Sequence, residues 1–353
     1  MLLKIQFGNV KAKKKSEIAI NQLIGPSGVP TFGIFNQPVN EVNFKDYNFL
    51  NPFGKKKNSI SKHFAYNQFE YVGGVSDQII FGVAIADLKF LTNAFFYIYL
   101  PPTGKFFYKS FKAPFSIGSK FSNFPETGVV SFTQGKNKIE MAPLNGRRKL
   151  FLELSSGERV EAEFIEEGIE PLRICTQSGV NGWVYVRKTA GSPVIGKIES
   201  ELGKFDLEKL GVFGHNDYSV GFMRRETFWN WGCFTGRLDK NVIGVNLSCG
   251  VNETSFSENS IWINGKRYQM PLVSFQYDKQ NLKKEWKITS HNGEVDLTFV
   301  PEGNYKENIN AFIVASNFNQ LYGKYFGKIQ VLGSKTLKIN GMYGYAEDHY
   351  AKW

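Results

Sequence analysis

Apolar and polar residues alternate with a period of two over most of this chain, and short polar turns interrupt the alternation. Folding "EWKITSHNGEVDLTFV" about Asn292-Gly293 sets Ile288 opposite Leu297 and Trp286 opposite Phe299, while Lys287 and Thr289 face Thr298 and Asp296. Apolar meets apolar on one face and polar meets polar on the other, as a half-buried antiparallel hairpin requires. "NSIWINGKRYQM" folds likewise about Asn264-Gly265, pairing Ile261 with Tyr268 and Trp262 with Arg267, where an indole and a guanidinium can stack. Asn-Gly also stands at 145–146, 181–182 and 340–341. The dipeptide suits type I′ hairpin turns, whose two central residues both take positive φ.

The first half has the same grammar. "FEYVGGVSDQIIFGVAIADL", "AFFYIYLPPTGKFFYKSF" and "KLFLELSSGERVEAEFIEE" each read as strand, turn, strand. A helical pattern is convincing only over 203–211, "GKFDLEKLG". Successive hairpins with few crossovers predict an all-β meander, closed into barrels or sandwiches so that edge strands are removed. A chain of 353 residues has room for two such units. Glycine, proline and charge accumulate over 187–211, which places the expected division between 1–195 and 196–353.

Composition adds one pointer. Aromatic residues make up 15% of the chain, with 32 phenylalanines, ring surface that suits strands and also suits a cavity for an apolar molecule. No apolar run approaches the roughly twenty residues of a membrane-spanning helix. The first residues, "MLLKIQFGNVKAKKK", lack the apolar core of a secretion signal, so a cytoplasmic protein is expected. Cys175, Cys233 and Cys249 are odd in number and form no CxxC pair, which argues against disulfides and structural zinc and for small apolar residues. The net charge of +11 is spread thinly, with small clusters at Lys11, Lys13–Lys15 and Lys55–Lys57 and no nucleic-acid-binding motif. A solvated basic face is the simplest reading. Weak attraction to an anionic membrane surface comes next, and nucleic acid last.

The motifs of serine hydrolases, P-loop NTPases and dinucleotide-binding folds are all missing. His215-Asn-Asp217 with a distal His291 or His349 matches a two-histidine, one-carboxylate iron site, but no arginine follows Arg267 to support an oxoglutarate-dependent oxygenase, and no metal or cofactor is expected. The densest chemistry lies in "GHNDYSVGFMRRETFWNWG", where strand alternation puts Arg225, Thr227, Trp229 and Trp231 on one face. Such an arginine needs an acid, and Asp217, Glu258, Glu347 and Asp348 are available. Either these groups form a structural ion-pair network, or a desolvated carboxyl among aromatic rings stays protonated and acts as an acid.

"HNDYSVGFMRRETFWNWG", "GVNLSCG…ENSIWINGK", "WKITSHNGEVDLTFVP" and the closing "GYAEDHYAKW" together resemble a bacterial family of unknown function. That family is related to carotenoid 1,2-hydratases, tocopherol cyclases and lipocalin-type Diels–Alderases, and distantly to the yeast survival-factor proteins that carry ceramide. In the first half the resemblance rests on "KHFAYNQFEYVGGVSDQIIFGVAIADL". It implies two lipocalin-like β-barrels side by side, with a site for a lipid or isoprenoid in or between them. The expected role is to bind and handle that ligand. The alternative is a hydratase, cyclase or isomerase that protonates an alkene without a cofactor. His215, Asp217, Tyr218 and Trp229 supply the residue types of the hydratases, with Asp217 as the expected proton donor. Trp229 and Trp231, Glu258, Asn259 and Trp262, with Arg225 and the tail residues Glu347, Asp348, His349 and Trp353, make up the expected ligand-binding set.

Two adjacent carboxylates, a histidine and an indole crowd the last seven residues: Glu347, Asp348, His349 and Trp353. The alternation of Leu337 and Ile339 with lysines predicts that this tail forms or follows the last strand of the C-terminal barrel, with a turn at Asn340-Gly341. Glu347 and Asp348 would then serve Arg224 and Arg225, and Trp353 would be buried.

Overall fold

A computed structural model describes residues 20–251, 256–311, 314–331 and 336–352. Strands occupy 65% of the described residues and helix 3%, so the core is built almost wholly from sheets. Two large, curled antiparallel sheets make up the molecule, each shaped like half of a lipocalin-like barrel. The first has fourteen strands. Its path runs from Lys105–Pro114 at one edge, through Asn67–Val75, Phe213–Phe222 and Gly182–Ser200, to Ser119–Phe121 at the other. The second has nine strands, from Lys266–Gln269 at one edge, through Glu226–Leu238, Thr336–Lys352 and Val314–Gln330, to Val273–Gln276.

The expected hairpins form in the expected register. Trp286 pairs with Phe299 and Ile288 with Leu297, while Ile261 pairs with Tyr268 and Trp262 with Arg267. At Asn145-Gly146 and Asn264-Gly265 both residues have positive φ, as a type I′ turn demands. At 292–293 only Gly293 does. There the Asn292 side chain closes a longer loop by accepting from Ser290 Oγ and Glu294 N. Asn340-Gly341 is not a turn. The strand Thr336–Lys352 runs straight through it, and Gly341 (φ 77°) absorbs an extra residue where the register slips between Tyr325 and Phe326.

The stretch 203–211 is not helical either. Gly203–Asp206 is a short strand paired with 197–200, and a turn follows it. Gly203 and Gly211 both hold positive φ, and Leu207 is wholly buried in the core of the first sheet, so tertiary packing overrides a weak helical pattern. The α-helix among the described residues is Ser59–Phe64, capped by the Asn58 side chain. The changeover between sheets lies between Phe222 and Glu226. The position 195/196 falls inside Gly182–Ser200, a strand that belongs whole to the first sheet and takes its Gly and Pro residues at a bulge, with Gly191 at φ 87°. No helix among the described residues is long and apolar enough to cross a membrane.

Each sheet has an inner and an outer apolar face. Alternation turns Val72, Phe81 and Val83 into the hollow of the first sheet and Phe234, Trp286 and Phe299 into that of the second. The opposite faces carry Tyr71, Tyr97 and Tyr99 on the first sheet, and Trp231, Tyr322 and Tyr345 on the second; these six residues form one buried aromatic cluster between the sheets. The site lies at this junction.

Candidate functional site

Next to the tyrosine cluster the two sheets part to leave a cavity of about 210 Å³. Its walls are mostly apolar: Phe69, Phe95, Val186, Trp229, Trp231 and Phe318. Four buried acidic or basic side chains stand among them, Lys188 and Asp217 from the first sheet, Glu347 from the second, and Glu258 just before the strand Ser260–Ile263; Glu307, His349 and Lys352 line the space as well. Their placement follows from strand parity. Lys188 and Asp217 are direct partners across Gly182–Ser200 and Phe213–Phe222, and Trp231 and Glu347 are partners across Glu226–Leu238 and Thr336–Lys352.

The electrostatics divide into a charged cluster and a lone carboxyl. The ammonium of Lys188 lies 3.0 Å from Asp217 and 3.1 Å from Glu258, and it sits over the Trp231 ring at 5.1 Å. Burial opposes its charge, but the two carboxylates outweigh burial and hold it protonated. Asp217 is raised by burial against the pull of Lys188, and Ser219 Oγ donates to it at 2.7 Å. Trp231 is held in place by donating to Asn246 Oδ1 at 2.7 Å, and Asn246 in turn donates to the Glu258 carbonyl.

Among the described residues no cation is bonded to Glu347. Gln320 Nε2 donates to its Oε1 at 2.7 Å, after Gln320 Oε1 has been fixed by the Tyr322 hydroxyl at 2.7 Å. The Trp229 indole reaches Oε2 at 3.4 Å. Burial raises the Glu347 pKa to about 7, with the negative charge of Asp217 adding to it and those two hydrogen bonds opposing it. A carboxyl poised near neutrality and a cluster paired around Lys188 therefore face the same apolar cavity. His349 lies 4.1 Å from Trp229, ring centre to ring centre, and exchanges a hydrogen bond with Ser316 Oγ at 2.9 Å; burial keeps it neutral, its pKa lowered to about 3.

Of the residues singled out in the sequence, the structure brings Asp217, Glu258, Trp229, Trp231, Glu347 and His349 to one cavity. It does not bring Tyr218, which lies on the opposite face of its strand and donates to the Ser122 carbonyl at 3.1 Å. His215 shares the face of Asp217 but sits beyond it among the tyrosines, its Nε2 hydrogen-bonded to the Tyr345 hydroxyl, and burial lowers its pKa to about 3. Trp262 is fully buried elsewhere and donates to the Glu170 carbonyl at 2.7 Å. Its partner Arg267 directs its guanidinium to Gln269. Asn259 braces its own loop through Ser248 N and the Pro271 carbonyl. Arg225 is exposed just ahead of the strand that carries Thr227 and Trp229. Asp348 faces away from the cavity and accepts from the Tyr277 hydroxyl at 2.6 Å. Trp353 and the Lys11 and Lys13–Lys15 cluster lie outside the described residues.

Lys188 was the residue most easily missed. It stands in "VRKTAG", which reads as the start of a linker, whereas the strand continues through it. The usable signal was parity: Lys188 falls on the same face as Val184 and Val186, a lysine in line with a buried apolar row.

The chain belongs to the DUF2804 family, a domain of unknown function whose model matches residues 12–353. None of the curated proteins matches it. Among solved structures, CghA is similar at 10% identity and a TM-score of 0.57, over 93% of this chain and 96% of that one. CghA with Sch210972 is similar at 9% identity and a TM-score of 0.56, over 94% and 97%. Kievitone hydratase from Nectria haematococca gives 9% identity and a TM-score of 0.47, over 81% and 89%. At such identities the likeness to CghA establishes the fold over nearly the whole of both chains. The chemistry has to be read from the cavity itself.

Proposed function

We propose that this protein binds an apolar small molecule between its two sheets and acts on it by proton transfer, with Glu347 as the acid. The observation that carries this reading is the buried Glu347 carboxyl in the cavity wall, its pKa raised to about 7, beside two further carboxyl groups that are paired with Lys188. A simple carrier for apolar ligands gains nothing from four buried ionisable groups, each of which costs desolvation energy. An acid catalyst does gain, because an acid with a pKa near the operating pH both holds and gives up its proton readily. Carboxyl groups in unlike surroundings, one bonded to neutral donors and two paired with Lys188, suit the donor and acceptor of one proton-transfer reaction. The Trp229 and Trp231 rings supply electron-rich faces for positive charge developing on carbon. Cyclisation or isomerisation of an alkene in a lipid or isoprenoid needs no more from the protein than this acid, a base and a dry cavity, and hydration needs in addition one water admitted to capture the carbocation. The resemblance to hydratases and cyclases and the fold shared with CghA both support this reading.

Deuterium labelling tests it. The full chain is purified, small molecules that leave with it are identified by mass spectrometry, and the protein is incubated with them in D₂O. Carbon-bound deuterium is expected in the ligand with the wild type and is expected to fall at least about a hundredfold with Glu347→Gln, the usual scale of general acid catalysis. A retained ligand that gains no deuterium would reduce the protein to a carrier.

A further inference from the structure

Three residues that line the same cavity each carry a buried polar atom with no hydrogen-bond partner among the described residues: Asn67 Oδ1, Asn93 Oδ1 and His349 Nδ1. Nine buried side-chain atoms among the described residues are in this condition, and a third of them belong to residues that line this one space. Asn67 itself is only 3% exposed. Buried polar groups are ordinarily paired, so an unpaired set gathered in one place marks groups awaiting a partner that the fold does not supply.

Their positions are ordered. Asn67 and Phe69 share the face of Tyr71, the cross-strand neighbour of Asp217. Asn67 therefore lies four residues along the strand from the level of Asp217, about 13 Å at ~3.3 Å per residue. Asn93 is level with Phe69 through Ala86, offset ~7 Å along the strands from the level of Asp217 and three strands across from it, while His349 is two residues along its strand from Glu347. Asn67 and Asn93 therefore lie away from the acid groups, with Phe69, Phe95 and Phe318 among the apolar lining.

We infer that the ligand is an apolar molecule bearing hydroxyl or N–H groups away from the proton-transfer centre, where Asn67 and Asn93 accept from it and His349 completes the contact. This rests on the reading of the cavity as a ligand site and narrows its substrate class. A plain hydrocarbon or a simple acyl chain would leave both amide oxygens unpaired and is the wrong ligand. His349, neutral, offers Nδ1 as acceptor when Nε2–H donates to Ser316, and as donor when Ser316 donates to Nε2.

Titration of the full chain with naphthalene and with 2-naphthol, followed by tryptophan fluorescence and calorimetry, tests the inference. The naphthol is expected to bind at least about tenfold more tightly, and Asn67→Leu/Asn93→Leu is expected to erase that preference while leaving naphthalene binding intact. Retained naphthalene binding shows that the double variant is folded. Glu347→Gln is expected to keep the preference, because the acid lies away from the two asparagines. Equal affinity for the two probes in the wild type overturns the inference and leaves the proton-transfer reading standing. A preference that survives the double asparagine variant but vanishes in Glu347→Gln places the hydroxyl at the acid and also overturns it. Failure of both probes to bind overturns it together with the cavity as a ligand site.

Discussion

Glu347 and Lys188 show how much one buried side chain decides here. The ordinary carboxylate value is 4.5 and that of folded Glu347 is about 7, so between those pH values the folded protein holds a proton that the unfolded chain has released. Stability therefore falls as pH rises from about 4.5 to about 7, by on the order of 3 kcal/mol from this group alone. Glu347→Gln removes that slope, and denaturant midpoints across this range are expected to show the variant gaining on the wild type as pH rises. Turnover of the wild type is expected to decline above pH 7 as the acid ionises. Lys188→Met should do the opposite of Glu347→Gln. It strands Asp217 and Glu258 without a cation, and breaking such a buried pair costs about 3–5 kcal/mol. The loss at neutral pH should be largely recovered by adding Asp217→Asn and Glu258→Gln, which leave no buried charge to compensate. A Lys188→Met protein as stable as the wild type by urea unfolding at pH 7 would show that the cluster is not held together by its charges.

At the scale of the element, the strand Thr336–Lys352 explains why so much chemistry sits close to the chain's last residue. It is not an edge. It pairs along its length with Val314–Gln330 on one side, and through Glu226–Phe234 on the other, so His349 is fixed between Phe318 and Trp229. Truncation after Asp348 removes the ladder partners of Glu226 through Trp229 and of Ala315 through Phe318, and is expected to lower the melting temperature clearly and abolish binding of 2-naphthol. Unchanged melting would mean that these pairs add nothing. Elements of this kind were legible from alternation and turn chemistry, because a half-buried hairpin writes its register into every second residue; the 286–299 pairing is read directly from "EWKITSHNGEVDLTFV". The short helical pattern at 203–211 misled because its apolar residues were spaced for a packing site on the first sheet. The site was half legible. Trp229, Trp231, Asp217, Glu258 and Glu347 are visible as costly residues, but parity within one strand cannot say which strand of another sheet lies across a cavity. Nor does it show that Lys188, not an arginine, answers the carboxylates, or that Tyr218 points the other way.

The two sheets do not merely lean together at the aromatic cluster. Beside the cavity their backbones touch. A Cβ placed on Gly244 of the second sheet would lie 2.4 Å from the carbonyl carbon of Ala190 in the first, and Gly191, at φ 87°, makes the bulge that brings that backbone forward. Only a residue without a side chain fits at 244. Two residues from each contact point stand Lys188 on one strand and Asn246 on the other, with Lys188 Nζ 3.4 Å from Asn246 Oδ1. The spacing of the sheets at Gly244 therefore sets the distance between the charged cluster on the first sheet and the Asn246–Trp231 pair on the second. Gly244→Ala is expected to push the sheets apart, because the obstacle is backbone and cannot rotate away. Overpacking of this kind costs about 1–3 kcal/mol. The effect should reach further than stability. With Lys188 drawn away from Trp231 and Asn246, the cavity loses its closed end, so deuterium incorporation should fall more steeply than naphthalene affinity, which depends on the apolar walls. A control at Gly135, a turn glycine with open space around the position of a Cβ and φ 60°, should show the modest cost of a strained turn and no change in turnover when replaced by Ala. If Gly244→Ala melted with the wild type and turned over ligand at the same rate, the inter-sheet contact would have no part in positioning the site, and each sheet would have to hold its share of the chemistry independently.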